Sequence, residues 1–204
     1  MTPTATPTPD ELRHLLDEHA RWAASAGAEG RRLELIGADL TGAQLAGRNL
    51  SGCCLANARL DGADLQRADL AEAELNGASL VDADLTGADL TKAVLDRVHA
   101  SAARFTRARL FRTELYGADL RRADLDGANV ARASFAAADL TNASLRRADL
   151  DRTSFAGARL DGLAATGASG SVLPPEGGSD GPAGVALLRA LRGAGADVSF
   201  WVRH

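Results

Sequence analysis

Apolar side chains recur along this chain at a spacing of five. Between Leu35 and Leu160, Leu occupies 21 of the 26 positions divisible by five; the exceptions are Ala100, Phe105, Val130, Phe135 and Phe155. Two residues before each of these positions, Ala occupies 20 of 26, the exceptions being Leu33, Arg48, Cys53, Val98, Thr113 and Thr153. The register never slips. Each unit reads Ala, then Asp, Asn, Glu, Ser or Arg, then Leu, then two variable residues, as in Ala63, Asp64, Leu65, Gln66 and Arg67. A period of five suits neither a helical face, which needs about 3.6, nor a plain strand, which needs about 2. Within a unit, however, Ala and Leu lie two apart, so a short extended piece turns both to the same side. The two following residues, rich in Gly, Asn, Asp and Arg (Asn76 and Gly77; Thr86 and Gly87), supply a turn. Sides alternating with corners make a coil. Coils stacked ~4.8 Å apart bury the Ala and Leu columns and leave the other three positions outside.

These residues resemble the pentapeptide-repeat family, whose consensus is Ala-(Asp/Asn)-Leu-x-x. The resemblance covers residues 33–162 and implies an all-β solenoid, a right-handed quadrilateral β-helix with four units per coil. Aligned at twenty residues per coil, one inward column reads Leu35, Leu55, Leu75, Leu95, Leu115, Phe135, Phe155, and another Leu40, Leu60, Leu80, Ala100, Leu120, Leu140, Leu160. At Val98 and Ala100 a larger residue replaces Ala where a smaller one replaces Leu. That exchange conserves volume, with Phe105 filling the remainder.

A stacked coil exposes apolar ends, so its termini need covers. Residues 1–8 read as a disordered N-terminus. Thr8, Pro9, Asp10 and Glu11 form a capping box with Pro at the first helical position. Leu12, Leu15, Leu16, His19, Trp22 and Ala23 follow helical spacing, and Gly27 suits the stop, giving a capping helix within 9–27. Arg48, a charge at an inward position of the first coil, is expected to reach toward this helix or solvent. After Leu160 the pattern fades, and residues 163–182, rich in Gly, Ser and Pro, read as a flexible linker. Residues 183–204 read as a helix-strand tail, with Leu187, Leu188 and Leu191 on a helical stripe and Val198, Phe200 and Val202 on one strand face. Its candidate roles are a cap on the last coil, a dimer interface or a partner site; a homodimer through this end is expected, because gyrase-binding members of the resembled family dimerise there.

Composition removes several classes of function. Among 204 residues aromatics are 4%, and a net charge of −4 excludes a broadly basic nucleic-acid binder. One lysine stands against 22 arginines, a bias that fits a GC-rich genome. The nine N-terminal residues lack the regions of a signal peptide and no apolar run approaches membrane-spanning length, so a cytoplasmic protein with no membrane partner is expected. His14, His19, His99 and His204 share no metal-ligand spacing with one another or with Cys53 and Cys54. No metal, no cofactor and no catalytic constellation are expected, so the chain reads as non-enzymatic.

The remaining chemistry is surface chemistry, and solenoids offer long regular faces to macromolecular partners. The resemblance implies a sharper alternative: some family members bind DNA gyrase or related type II topoisomerases by imitating duplex DNA, protecting them from quinolones or self-made toxins. Asp64, Asp69, Asp84 and Asp89 are the candidate partner-binding carboxylates of such an acidic surface, without direct nucleic-acid binding. Residues 33–92 carry 10 acidic and 4 basic residues (net −6), whereas 93–162 carry 9 and 12 (net +3). The acidic columns are thus interrupted by Arg97, Arg104, Arg107, Arg109 and Arg112. Phe111 and Tyr116 follow the central Leu of adjacent units, should face outward, and complete the candidate interface with these arginines. A third reading is a structural or assembly module acting through its caps.

Overall fold

The computed structural model of this chain describes residues 6–174 and 182–200. Helix α1 (Pro9–Ala24) opens it, followed by a long coiled array, strands β1 (Thr153–Ser154) and β2 (Ser169–Leu173), helix α2 (Pro182–Gly193) and strand β3 (Asp197–Phe200). In the array every bridging residue pairs in parallel with the residue twenty positions on, from Glu34 with Cys54 to Asp149 with Ser169. Five-residue units at this offset place four units in each coil, and the stack is a β-helix solenoid roughly 30 Å long at the usual strand spacing.

The five-residue period follows from where the backbone N–H groups go. Around Asp64, the Ala63 N–H closes the preceding turn on the Leu60 carbonyl (3.0 Å) and the Asp64 N–H reaches back one coil to Ala43 (3.0 Å). The Leu65 N–H reaches forward to Asp84 (2.8 Å) and the Arg67 N–H to Thr86 (3.0 Å). Only the N–H of Gln66 is left over, and it donates to the Asp64 carboxylate at 3.0 Å. A backbone donor needs an acceptor: where the unit has Asp or Asn two residues before the leftover N–H, that side chain supplies it, and elsewhere an Asp one coil back can, as Asp61, Asp96 and Asp126 do for Val81, Tyr116 and Arg146.

The second corner residue sits at positive φ throughout the array, +64° at Gly117 and +57° at Arg107 for example, as a type II-like turn requires. The inward columns are fully buried: Leu65, Leu85, Phe105, Leu125 and Leu145 are each 0% exposed. Val98 and Ala100 are equally buried, and Phe135 stacks on Phe155 with ring centroids 5.4 Å apart. Thr113 and Thr153, which replace Ala, donate their hydroxyls to the carbonyls of Leu90 (2.8 Å) and Val130 (2.9 Å).

Helix α1 covers the first coil. The Glu11 N–H donates to Thr8 Oγ1 while Glu11 Oε2 accepts from the Thr8 N–H. Its Leu16 and His19 are buried, His19 Nδ1 accepts the Leu33 N–H at 3.0 Å, and the imidazole stacks on Trp22. The chain turns back at Gly30, where a Cβ would lie 2.1 Å from the Glu18 carbonyl oxygen. Arg48 is exposed and lines a groove with Pro7, Leu12 and Leu16, since no coil lies beneath it. Of residues 1–8, the first five lie outside the described residues; Thr6 accepts the Asp39 N–H and Thr8 caps α1.

The linker expected over 163–182 is corrected across its first part. Residues 163–173 continue the coil: Leu163, Ala165, Ala168 and Val172 are buried, and β2 pairs in parallel with β1 and β3. Here Leu and Ala exchange places, Leu163 standing where Ala stands elsewhere and Ala165 where Leu does, so the period persists after its Leu signature stops. The tail then seats on this last coil. The Ala165 N–H donates to Ala194 and the Asp197 N–H to Ala168, both at 2.8 Å, while Leu187, Leu191 and Val198 are buried and Leu188 packs partly against the core. The guanidinium of Arg192 donates twice to the Val198 carbonyl (2.9 and 3.2 Å). Because the Asp197 N–H faces β2, Val198 faces the outer edge of β3, so Arg192 occupies an acceptor that an added strand would need. Phe200 pairs with Val172 through its backbone; its side chain, and Val202, lie outside the described residues.

Candidate interaction surface

The interior is filled by side chains, so polar chemistry is confined to the outer columns. The four aspartates singled out from the sequence do line up there: Asp64 bridges to Asp84, and Asp69 to Asp89. All four are half-buried. Each accepts a backbone N–H two residues on, from Gln66 (3.0 Å), Ala71 (3.0 Å), Thr86 (2.9 Å) and Thr91 (2.9 Å) respectively. Asp84 and Asp89 are also paired with Arg104 (3.1 Å) and Arg109 (2.9 Å) from the next coil. These carboxylates therefore have one oxygen committed to a turn, and two of the four have their charge met within the chain.

Side-chain hydrogen bonds lower the pKa of several other carboxyls. Asp39 and Asp139 are held below the usual carboxylate range chiefly by the Thr41 and Thr141 hydroxyls, Asp119 by the Arg121 guanidinium and Asp151 by the Ser171 hydroxyl. Glu74 is lowered by Arg32, which donates to it at 2.7 Å. Burial acts the other way on the thiols: Cys53 is pushed up to about 12 and Cys54 is also raised. Neither is a ready thiolate at neutral pH. Among the described residues no group of three or more His, Cys, Asp or Glu side chains is placed to hold a metal ion, and no helix is long and apolar enough to cross a membrane.

Arginines divide into two populations by their place in the unit. Those flanking the central Leu meet aspartates: Arg59 with Asp39, Arg104 with Asp84, Arg109 with Asp89 and Arg159 with Asp139 one coil back, and Arg121 with Asp119 in its own unit. Those at the second corner position do not, except Arg152, which pairs with Asp151. Arg67, Arg97, Arg107, Arg112, Arg122, Arg132 and Arg147 make no ion pair among the described residues, although all have φ between +55° and +61°. The signal that separates them is the strict alternation Gly47, Arg67, Gly87, Arg107, Gly127, Arg147, Gly167 in one corner column. Each Arg stem lies over the glycine of the next coil: Cβ atoms built at Gly87, Gly127 and Gly167 would be 3.6, 3.5 and 3.3 Å from the Cγ of Arg67, Arg107 and Arg147.

Phe111 and Tyr116 face outward at successive corners, separated by the side formed by residues 113–115. Two guanidiniums approach the Phe111 ring, Arg112 at 5.3 Å and Arg132 at 5.6 Å from its centroid. Tyr116 is 50% exposed and borders a shallow groove with Asn57, Asn76, Asp96 and Arg97. The structure thus brings Phe111 into an arginine cluster and leaves Tyr116 on a different edge of the coil, remote from the four aspartates in sequence and column.

A family model described as pentapeptide repeats matches the chain in eight copies, over residues 31–67, 63–99, 88–127, 103–135 and 133–169. Among solved structures, the chain is similar to HetL, a pentapeptide repeat protein involved in heterocyst differentiation regulation from the cyanobacterium Nostoc sp. strain PCC 7120. The two are 26% identical, with 81% of each chain covered and a TM-score of 0.55. QnrB1, a plasmid-mediated fluoroquinolone resistance protein, is similar in fold, at 17% identity over 70% of this chain and 76% of that one, with a TM-score of 0.63. No curated protein sequence matches the chain.

Proposed function

Since the chain belongs to the pentapeptide-repeat family, we propose that it is a non-catalytic binding protein, whose right-handed four-sided β-helix presents its outer sides to a macromolecular partner. The observation that carries this reading is the division of labour in each unit: Ala and Leu fill the interior at or near 0% exposure, and every variable residue is outside. Such a rod has no enclosed cavity at its axis, but offers flat sides with side chains in fixed columns. We assign the tail to capping, since Leu187, Leu191 and Val198 are buried within the chain; a dimer through this end would have to use other residues.

The test is site-specific photocrosslinking in the organism that makes the protein. A photoreactive residue is placed at Arg104, Arg109, Glu114 or Asp119, one on each side of a single coil. The reading predicts a discrete protein adduct from one or two adjacent sides. Absence of an adduct from all four would overturn it.

The narrower reading, an acidic surface that imitates duplex DNA toward a type II topoisomerase, is supported by Asp64 and Asp69, which keep an uncompensated charge, and by the net −6 of residues 33–92. Its test is competition with DNA for gyrase, weakening with salt. Replacing Asp64, Asp69, Asp84 and Asp89 with Asn removes charge and keeps the turn bond, as Asn49 and Asn129 already do. Loss of competition in that variant supports the reading; no competition by the unmodified protein in large excess removes it.

A further inference from the structure

We propose that one side of the C-terminal half of the coil is a cationic docking site for a short acidic peptide segment of a protein partner. This rests on the reading of the chain as a binding protein and names the partner's chemistry. The side runs between the corner that carries Arg107 and Arg147 and the corner that carries Arg112, Arg132 and Arg152, with Arg109, Asn129 and Asp149 bridged in a column between them.

Two independent observations point to a ligand. First, Arg107, Arg112, Arg132 and Arg147 occupy the left-handed region at +57°, +59°, +60° and +57°, where glycine is free of strain and a longer side chain is not. Glycine fills the equivalent corners at Gly87, Gly127 and Gly167. Arginine is therefore held at a conformational disadvantage without any intrachain ion pair to offset it. Second, these side chains are packed against the coil without forming an ion pair, although the Arg132 charge is felt at Asp151. The Arg107 and Arg147 stems lie against the following glycines, and Arg112 and Arg132 both lie over the Phe111 ring. Packing of this kind fixes the planar group and leaves its N–H fork available for carboxylate. Of the acids on the same side, Asp151 accepts from the Ser171 hydroxyl and pairs with Arg152, while Asp149 accepts the Asp151 N–H and is one carboxylate among these arginines.

The extent of the patch selects the partner. Toward the N-terminus the same columns carry Asp69, Glu72 and Asp89, with Lys92 paired to Glu72 and Arg67 as the remaining corner cation. A long duplex or single strand lying along the rod would run from cations into carboxylates. A short acidic segment is contained within the coils that carry the arginines.

The experiment is fluorescence anisotropy of a labelled, Glu-rich peptide with the full chain, alongside a thermal melt. Glycine suits the corners, so Arg107→Gly, Arg112→Gly, Arg132→Gly and Arg147→Gly are combined in one variant. Arg67→Gly, Arg97→Gly and Arg122→Gly, the corner arginines outside this patch, form the control. The first variant should lose affinity by roughly tenfold or more, as the sum of several exposed ion pairs, with a Tm no lower than the parent. The control should bind within about twofold at physiological salt, where distant charges are screened. Equal loss in both variants, no binding of the peptide by the parent, or displacement of the peptide by an equally charged single-stranded oligonucleotide at lower concentration would each overturn the proposal. A photoadduct from another side with no peptide binding would sink only this inference; absence of adducts from every side would sink the binding reading itself.

Discussion

Leu85→Ala tests how rigidly the coil holds its core. Leu85 is 0% exposed and sits in one column between Leu65 and Phe105, also 0% exposed, with the Ala83 and Ala88 methyls beside it. Removing the isobutyl group costs about 2–5 kcal/mol in buried sites, the larger values arising where the surroundings cannot collapse. Collapse is opposed here on both strand edges. The Leu85 N–H is bonded to Arg104 at 2.7 Å and the neighbouring Asp84 N–H to Ala63 at 3.0 Å, so the backbone is tied to the coils above and below. The cost should fall in the upper half of that range, about 3.5–5 kcal/mol, or a fall in Tm of roughly 7–20 °C for a chain of this length. Leu85→Asp should be worse, because it places a carboxylate where no donor is free. Circular dichroism melts with a parallel urea titration measure both. A change below about 1 kcal/mol for Leu85→Ala, or an unaltered melt for Leu85→Asp, would refute the assignment of Leu85 to the buried column.

Three other outcomes follow from particular contacts. Asp124→Ala removes the acceptor of the Asp126 N–H (2.9 Å) and should destabilise by about 0.5–2 kcal/mol, as loss of a helix cap does, while Asp124→Asn should restore most of it in the same urea titration. His19 is buried, and burial lowers its pKa from the ordinary histidine value; the neutral ring is the folded form. Stability from this site is therefore complete above the unfolded value of about 6.5 and is lost as pH falls toward and through the lowered folded value; a His19→Gln variant should show a smaller acid-induced drop in Tm over that window. Arg192→Ala frees the Val198 carbonyl on the outer edge of β3 and should promote self-association seen by sedimentation velocity, whereas a monomer unchanged by the substitution would deny Arg192 its sealing role.

Much of the architecture was legible because one short unit is repeated with little drift. Leu and Ala two apart, followed by a turn pair, admit few arrangements that bury both columns. The part that was misread lies where side-chain size and composition part company with geometry. Residues 163–173 keep the coil with Ala165 and Ala168 inside and Gly167 at a corner, yet their small residues resemble a linker. The turn-closing role of the aspartates was illegible for a related reason. Their regular spacing looks like a designed acidic face, but it follows from one leftover N–H per unit, a quantity that emerges only when every backbone donor is traced. The alternation of Gly and Arg at one corner already set Arg67, Arg107 and Arg147 apart from the arginines beside the central Leu.

The placement of every exposed charge depends on the twenty-residue register, and paired cysteines test it most directly. In a background with Cys53 and Cys54 replaced by Ser, cysteines at Asn129 and Asp149, which are bridge partners, should lie within the Cα separation of about 4.4–6.8 Å that a disulfide tolerates. Mild oxidation should crosslink this pair quickly, giving a faster-migrating monomer on a denaturing gel, while cysteines at Asn129 and Asp139, half a coil apart, should stay reduced. Crosslinking of the second pair, or failure of the first in a folded protein, would contradict the register.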